Sequence, residues 1–346
     1  MNSKRWLAIL FVLALTAASC GSDDTTTPEP EVVDLIVLTG FYPNGYQSAL
    51  FAGKAEGFFD DEFINLTIQP GAGSAADNAK IAAGAADFDT YNAYGATALN
   101  ISEDVPVRAV MFTYATSPSG MCYIEERHTI EDWSDFEGLT QGGPAGSAIT
   151  LEMFAAMEYF GADPEAVDSV VIEFMATIPA LIADQVDVTG CSLLTFAPRA
   201  AATEEAGLTL GFFSFSEDGG FDVIGWGVVA ADSLIEENPA AVQRFVNAYG
   251  RSVLWSIENP DVACGHFLDA YPDKVEETEC PSFKGTLPLY TDANGDYFMG
   301  HTDEQVALTL DFIETTEGIA LTFDDIYTSQ FYDAMPEHLK EGRLEP

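Results

Sequence analysis

The chain has 346 residues, 47% of them hydrophobic, and sets 13 lysines and arginines against 56 aspartates and glutamates for a formal charge of −43. So few basic groups cannot neutralise a row of phosphates, which excludes nucleic acid and anionic membrane surfaces as electrostatic partners. The hydrophobic share excludes a disordered acidic tail, and the carboxylates read as a solvated shell of the halophilic kind, whose self-repulsion salt would screen.

In chain order, Lys4-Arg5 precedes an apolar run from Trp6 to Leu15, and Ala17-Ala18-Ser19 precedes Cys20. Basic residues, about ten apolar ones and small residues at the cut form the layout of a cleaved export signal. The run is shorter than the roughly 20 residues of a membrane span. Its last residues resemble a bacterial lipobox, which implies a signal peptide at 1–20 and a lipid-anchored Cys20. Residues 21–31 carry no apolar side chain for a core, and a flexible tether is expected there.

The roughly 315 residues from Val32 onward exceed one compact core and predict two lobes. Short β-rich runs alternate with helical patterns, predicting α/β units around mostly parallel sheets. Strands are expected at Leu35–Leu38, Leu66–Gln69, Ala86–Asp89 and Val107–Tyr114. The first two are each followed by a helix that a glycine stops, at Gly57 and Gly84. The pattern restarts after Ser117-Pro118-Ser119-Gly120. It gives a glycine-rich turn at Gln141–Ser147, a helix at Ala148–Phe160, a strand at Val170–Phe174, a helix beginning at Ile178, and a strand and loop at Val186–Cys191. The chain crosses back at Ile224–Ala230, and helices follow at Pro239–Ile257 and Asp303–Thr315. The expected domains are lobe 1 at 32–115 and 224–346 and lobe 2 at 116–223, with a ligand cleft between them.

Once Cys20 is set aside, Cys122, Cys191, Cys264 and Cys280 remain. An even count in an exported chain points to disulfides, first of all Cys264 with Cys280 around a local loop. Cys122 and Cys191 are open between a second bridge and buried free thiols.

The run Phe41-Tyr42-Pro43-Asn44-Gly45-Tyr46-Gln47 through Gly57-Phe58-Phe59 resembles the opening of the solute-binding proteins for thiamine-precursor pyrimidines, nitrate, sulfonates and taurine. Pro70-Gly71-Ala72-Gly73-Ser74, Ala83–Phe88, Asp135–Gly138, Pro179-Ala180-Leu181 with Val186-Asp187-Val188, and Glu237–Phe245 follow in that family's order, from about Leu35 to Ala334. The resemblance implies a type II periplasmic-binding fold and a receptor serving an ABC importer, with a permease and an ATPase as partners. Two departures bear on the ligand. A histidine that pyrimidine-binding relatives tend to carry is Gln47 here, and a segment that usually ends Gly-Lys reads Gly138-Leu139.

Candidate contacts lie in loops at strand ends, where helix N-termini present unpaired N–H groups. Phe41, Tyr42 and Tyr46 are expected to stack a flat heterocycle, with Asn44 and Gln47 bonding its edge. Gly73 and Ser74 from one lobe, and Gly143 and Ser147 from the other, would aim donors into the cleft; Tyr91, Asn92, Ser117 and Thr189 complete the set. Arg199 alone among the basic residues stands near a cleft loop and is expected as a surface arginine at a helix N-terminus, which tilts the ligand toward a neutral aminopyrimidine and away from an oxyanion.

An enzyme is not expected. His128, His266, His301 and His338 lack metalloprotease spacing, and no G-x-S-x-G or phosphate-binding loop occurs. Asp292–Asp296 with Asp303 only faintly copies a calcium loop, so neither metal nor cofactor is expected. A monomeric, exported receptor for a small heteroaromatic solute is the leading reading. A nitrate-, sulfonate- or taurine-type binder, an exported sensor and a pyrimidine-metabolism enzyme are the alternatives.

Overall fold

Two five-stranded sheets with the same internal order build the body. The computed structural model describes residues 31–93, 105–114, 116–145, 147–291 and 300–345. The export signal, Cys20, nearly all of the tether and the Asp292–Asp296 loop lie outside them.

The first half begins β1 (Val33–Leu38), α1 (Ser48–Ala55), β2 (Ile64–Gln69), α2 (Ser74–Ala82), β3 (Phe88–Ala93) and β4 (Val107–Phe112). Then come β5 (Ser119–Ile124), β6 (Thr140–Gly143), α3 (Ala148–Tyr159), β7 (Asp168–Val171), α4 (Thr177–Ile182), β8 (Val188–Ser192), α5 (Leu193–Glu205) and β9 (Leu210–Ser214). The chain returns through β10 (Trp226–Ala231) to α6 (Pro239–Glu258), α7 (Pro260–Ala270), α8 (Glu276–Thr286) and α9 (Asp303–Glu317).

The sheets run β2-β1-β3-β10-β4 and β7-β6-β8-β5-β9. In the first, β1 is parallel to β2 and β3, and β10 is antiparallel to β3 and β4. The second repeats this with β6 parallel to β7 and β8, and β5 antiparallel to β8 and β9. In each sheet the antiparallel strand beside the parallel trio is the one delivered by a crossover. The parallel strands of both lobes thus turn their carboxyl ends to one cleft, the usual ligand site of such sheets.

Glycine placement explains the helix stops: Gly57 and Gly84 sit at φ +79 and +70, the left-handed conformation that ends a helix. Helix α6 buries Val242, Phe245, Val246, Tyr249 and Val253, a stripe at three- and four-residue spacing that covers the first sheet. Phe245 stacks on Phe88 with ring centroids 4.0 Å apart. Cys122 is bonded to Cys191 between β5 and β8, and Cys264 to Cys280 between α7 and α8.

Three local expectations fail for stated reasons. Gln141-Gly142-Gly143 is strand, not turn, because β7 and β8 pair with β6 on both sides. A Cβ at Gly142 would come within 2.7 Å of Val186, so the glycine serves packing. The strand expected at Val170–Phe174 ends at Val171 on an exposed edge, and Phe174–Ala176 turns into a 3-10 helix. Helix α5 was hidden by Pro198 in its interior, which leaves the Leu194 carbonyl without its N–H donor. The Ser282 hydroxyl, donated from α8, reaches that carbonyl.

The C-terminal helices also cross between cores. Helix α8 packs on α5, while Phe312 of α9 packs against both cores, meeting Phe221 with ring centroids 4.5 Å apart.

Candidate functional site

A cavity of about 120 Å³ lies where the strand ends meet. The first lobe contributes Phe41, Tyr42 and Tyr46 from the loop after β1, and Trp226 stands at the start of the crossover strand β10. The second contributes Ile149 of α3, Phe174 after β7, Gly190–Ser192 at the end of β8, and Leu194, Thr195 and Arg199 of α5. Rings face each other across it. Phe41 and Tyr42 lie 4.6 Å apart, and Phe174 meets them edge-on at 6.1 and 6.2 Å. Such tilted pairs suit the quadrupoles of bare rings, and a flat solute can take the same places by stacking.

The loop after β1 is built rigidly. Asn44 caps a 3-10 turn at Gly45–Gln47 and forms a capping box with Gln47. The Gly45 N–H donates to Glu279 Oε2 at 2.6 Å, and a Cβ at Gly45 would overlap the Glu279 carbonyl at 1.9 Å, so only glycine fits. Lys274 stands 3.6 Å from Glu279 and 5.6 Å from the Tyr42 ring centroid. Burial raises the Tyr42 phenol above its ordinary range, with Arg199 acting against that rise.

This construction engages the side chains of two residues expected to contact the ligand. Gln47 is fully buried and its Nε2 donates to Thr39 O at 2.7 Å, while Oε1 accepts from Asn44 N. Asn44 Oδ1 accepts from Tyr46 N and lies 2.8 Å from the Ser282 hydroxyl. The whole Gln47 amide and the Asn44 carbonyl oxygen are therefore engaged within the protein. Tyr46 borders the cavity but is buried, with its ring 5.2 Å from Tyr91. Tyr91 lies behind it, donating its hydroxyl to Tyr46 O at 3.2 Å.

The junction from β2 to α2 is also closed. Gly73 caps α2 at φ +101, Ser74 begins the helix, and the Ala72 N–H donates to both carboxylate oxygens of Asp77 at 3.0 and 3.1 Å. The Asp77 carboxylate thus takes that backbone N–H, and Lys80 pairs with it at 3.0 Å. Asn92 donates to Asn78 and to Asp89, both at 2.8 Å, inside the core. Asp89 has no exposed surface, and burial followed by the nearby Asp77 pushes its carboxyl up to about 7.

In the second lobe, Ser147 caps α3 and accepts from Thr150 N. Gly143 ends β6, Ser117 accepts from Ser119 N in the crossover, and Thr189 is buried in β8; none of these four borders the cavity.

Arg199 is not a surface residue at a helix N-terminus. It lies half-buried on the second turn of α5, where Nη1 donates to Gly190 O at 3.0 Å and the guanidinium rests 4.8 Å from the Phe174 ring centroid. Phe174 and Trp226 were missed by reading the sequence. A tryptophan opening the crossover strand was an available signal, whereas Phe174 was hidden inside an assumed strand.

The model of the family described as "NMT1/THI5 like" matches residues 44–263. The riboflavin-binding protein RibY of Chloroflexus aurantiacus is 23% identical over 324 residues, covering 87% of this chain and 88% of the relative. The periplasmic aliphatic sulphonate binding protein SsuA of Escherichia coli superposes with a TM-score of 0.66 at 11% identity, over 87% of this chain and 93% of that one. The periplasmic nitrate-binding protein NrtA of Synechocystis PCC 6803 gives 0.61 at 11% identity, over 91% and 93%. With the two-lobed fold shared and well over half of the sequence matched by the family model, the chain belongs to the NMT1/THI5-like family.

Proposed function

We propose that the protein is an extracytoplasmic receptor of an ABC importer that closes its two lobes over a small, flat heteroaromatic solute. The observation that carries this reading is the meeting of rings from both lobes, Phe41 and Tyr42 against Phe174 with Trp226 beside them, around one cavity. Named functions of the relatives support receptor over enzyme, since all three compared proteins are binding proteins. Among solutes, the ring-lined wall favours a heterocycle over nitrate or an aliphatic sulfonate.

Size narrows the choice. About 120 Å³ is below the roughly 300–1,000 Å³ of drug-sized ligand pockets. A single pyrimidine ring suits the cleft as it stands, whereas the three fused rings of a flavin require the lobes to part further. Mass spectrometry of the solute that copurifies from the native host tests the reading: a nitrogen heterocycle is expected, and an aliphatic sulfonate or inorganic anion would overturn it.

In this reading the mature, monomeric protein begins at lipidated Cys20, is held at the membrane by its acyl chains, and delivers the solute to a permease with a separate ATPase. Detergent phase partitioning checks the anchor. The native protein should enter the detergent phase and Cys20→Ala the aqueous phase; equal aqueous release of both would remove the anchor from the account.

A further inference from the structure

Charge pairing and position in the cleft wall together single out Arg199. Beyond the leader there are 11 lysines and arginines, and eight of them pair with a carboxylate. Arg199 pairs with none among the described residues, in a chain holding 56 acidic side chains. It is nonetheless half-buried in the cleft wall, where burial lowers the guanidinium's pKa. A desolvated charge without a counter-charge is costly unless something binds it.

The guanidinium is also held in place. Nη1 donates to Gly190 O at 3.0 Å and lies 3.4 Å from Cys191 Sγ, and Phe174 supports the planar face from 4.8 Å. The Cys122–Cys191 bridge fixes the strand end that this contact uses. No hydrogen bond is made by Nε or Nη2 among the described residues. A guanidinium has five N–H donors in a rigid fork that matches paired acceptors in one plane. Phe174 borders both the guanidinium and the rings of Phe41 and Tyr42, so a flat solute stacked among those rings would present its edge to that fork.

We propose that Arg199 reads the edge of the bound ring, and that the solute carries acceptor oxygens there, as ring oxo groups or a ring carboxylate. This rests on the heteroaromatic reading above and narrows it away from a plain aminopyrimidine, whose edge sets one ring-nitrogen acceptor beside an amine donor and so cannot take both N–H groups of the fork.

Isothermal titration with three probes tests the assignment: riboflavin for ring oxo oxygens, nicotinate for a ring carboxylate, and 4-amino-2-methylpyrimidine for a ring with neither. Each is titrated into the native protein, Arg199→Gln and Arg199→Lys. The native protein should prefer riboflavin or nicotinate to the aminopyrimidine, and which of the two it takes identifies the acceptor. Arg199→Gln should weaken that probe about ten- to hundredfold while leaving the aminopyrimidine within about threefold, so the preference collapses. Arg199→Lys should restore part of it, having the charge without the fork. A general loss of packing would weaken all three probes alike and would overturn the proposal, as would an unchanged preference in Arg199→Gln. Native protein that binds the aminopyrimidine best also overturns it while sparing the heteroaromatic reading; native protein that binds none of the rings removes both.

Discussion

The two lobes share one strand order but divide the labour at their strand ends. In the first, the loops complete themselves: Asn44 and Gln47 cap each other, Glu279 holds Gly45, and Asp77 occupies the donors after β2. In the second, the equivalent junction after β7 has no acid in the first turn of α4 and presents Phe174, while α5 presents a guanidinium that pairs with no carboxylate among the described residues. One topology therefore supports loops that complete themselves in one lobe and, in the other, a guanidinium held by a backbone carbonyl and an aromatic face. The fold fixes where loops meet, and the side chains decide which lobe recognises polarity.

Tyr46 and Tyr42 separate wall from scaffold most sharply. Tyr46 is buried against Tyr91, so Tyr46→Ala should cost about 3–5 kcal/mol of stability, as large aromatic deletions in cores do. Tyr42, partly exposed at the cavity, should cost far less stability when replaced. Urea unfolding of both variants measures the difference, and equal destabilisation would erase the distinction.

Each lobe has its own bridge, which gives the next comparison. Chain-entropy estimates scale with the closed loop, so losing Cys122–Cys191, 69 residues apart, should cost about 4 kcal/mol, against about 3 kcal/mol for Cys264–Cys280, 16 apart. Paired Cys→Ala variants followed by urea unfolding would show it. A larger loss at Cys264–Cys280 would mean that local packing of α7 on α8 outweighs loop length.

A smaller effect comes from two carboxyls, Asp89 in the first lobe and Glu152 in the second, both pushed up to about 7 by burial. Asp89 holds its proton up to about pH 7 in the folded chain, whereas the unfolded carboxyl releases it near its ordinary value of about 4. Between those values the native state binds more protons, so stability falls as pH rises and levels off above about 7. Melting temperature should therefore drop from pH 5 to pH 7.5, and Asp89→Asn should show a shallower slope. An identical slope would assign the pH dependence to other carboxyls, Glu152 of the second lobe first among them.

A further change, beyond what a neutral protein of this size would show, comes with salt. Added salt shrinks the Debye length from about 30 Å at 0.01 M to about 3 Å at 1 M and screens the acidic surface, so the melting temperature should rise across that range. No rise would mean that the carboxylates are spaced or paired well enough not to repel.

Much of the frame was legible because local chemistry and global fold agree there. Gly57 and Gly84 mark true helix ends, and the β1–α1–β2–α2–β3 series follows its hydrophobic pattern. Legibility failed where a distant partner settles the matter. Gly142 reads as a turn residue until Val186 is seen packed over it, and Pro198 breaks a helix unless Ser282 reaches its orphaned carbonyl. The site divides the same way. Phe41 and Tyr42 announce themselves in one loop, but nothing nearby in sequence reveals that Asn44 and Gln47 are committed to each other, or that Arg199 meets Phe174 across 25 positions.

The central claim is that rings from two lobes bind a ring. Its most direct test is calorimetry on the native protein and Tyr42→Ala with 4-amino-2-methylpyrimidine, riboflavin, taurine and nitrate. The account predicts that a ring solute binds and that losing the Tyr42 ring weakens it about ten- to hundredfold, the effect of about 1–3 kcal/mol of stacking. Tight binding of taurine or nitrate, unchanged in Tyr42→Ala, would contradict it.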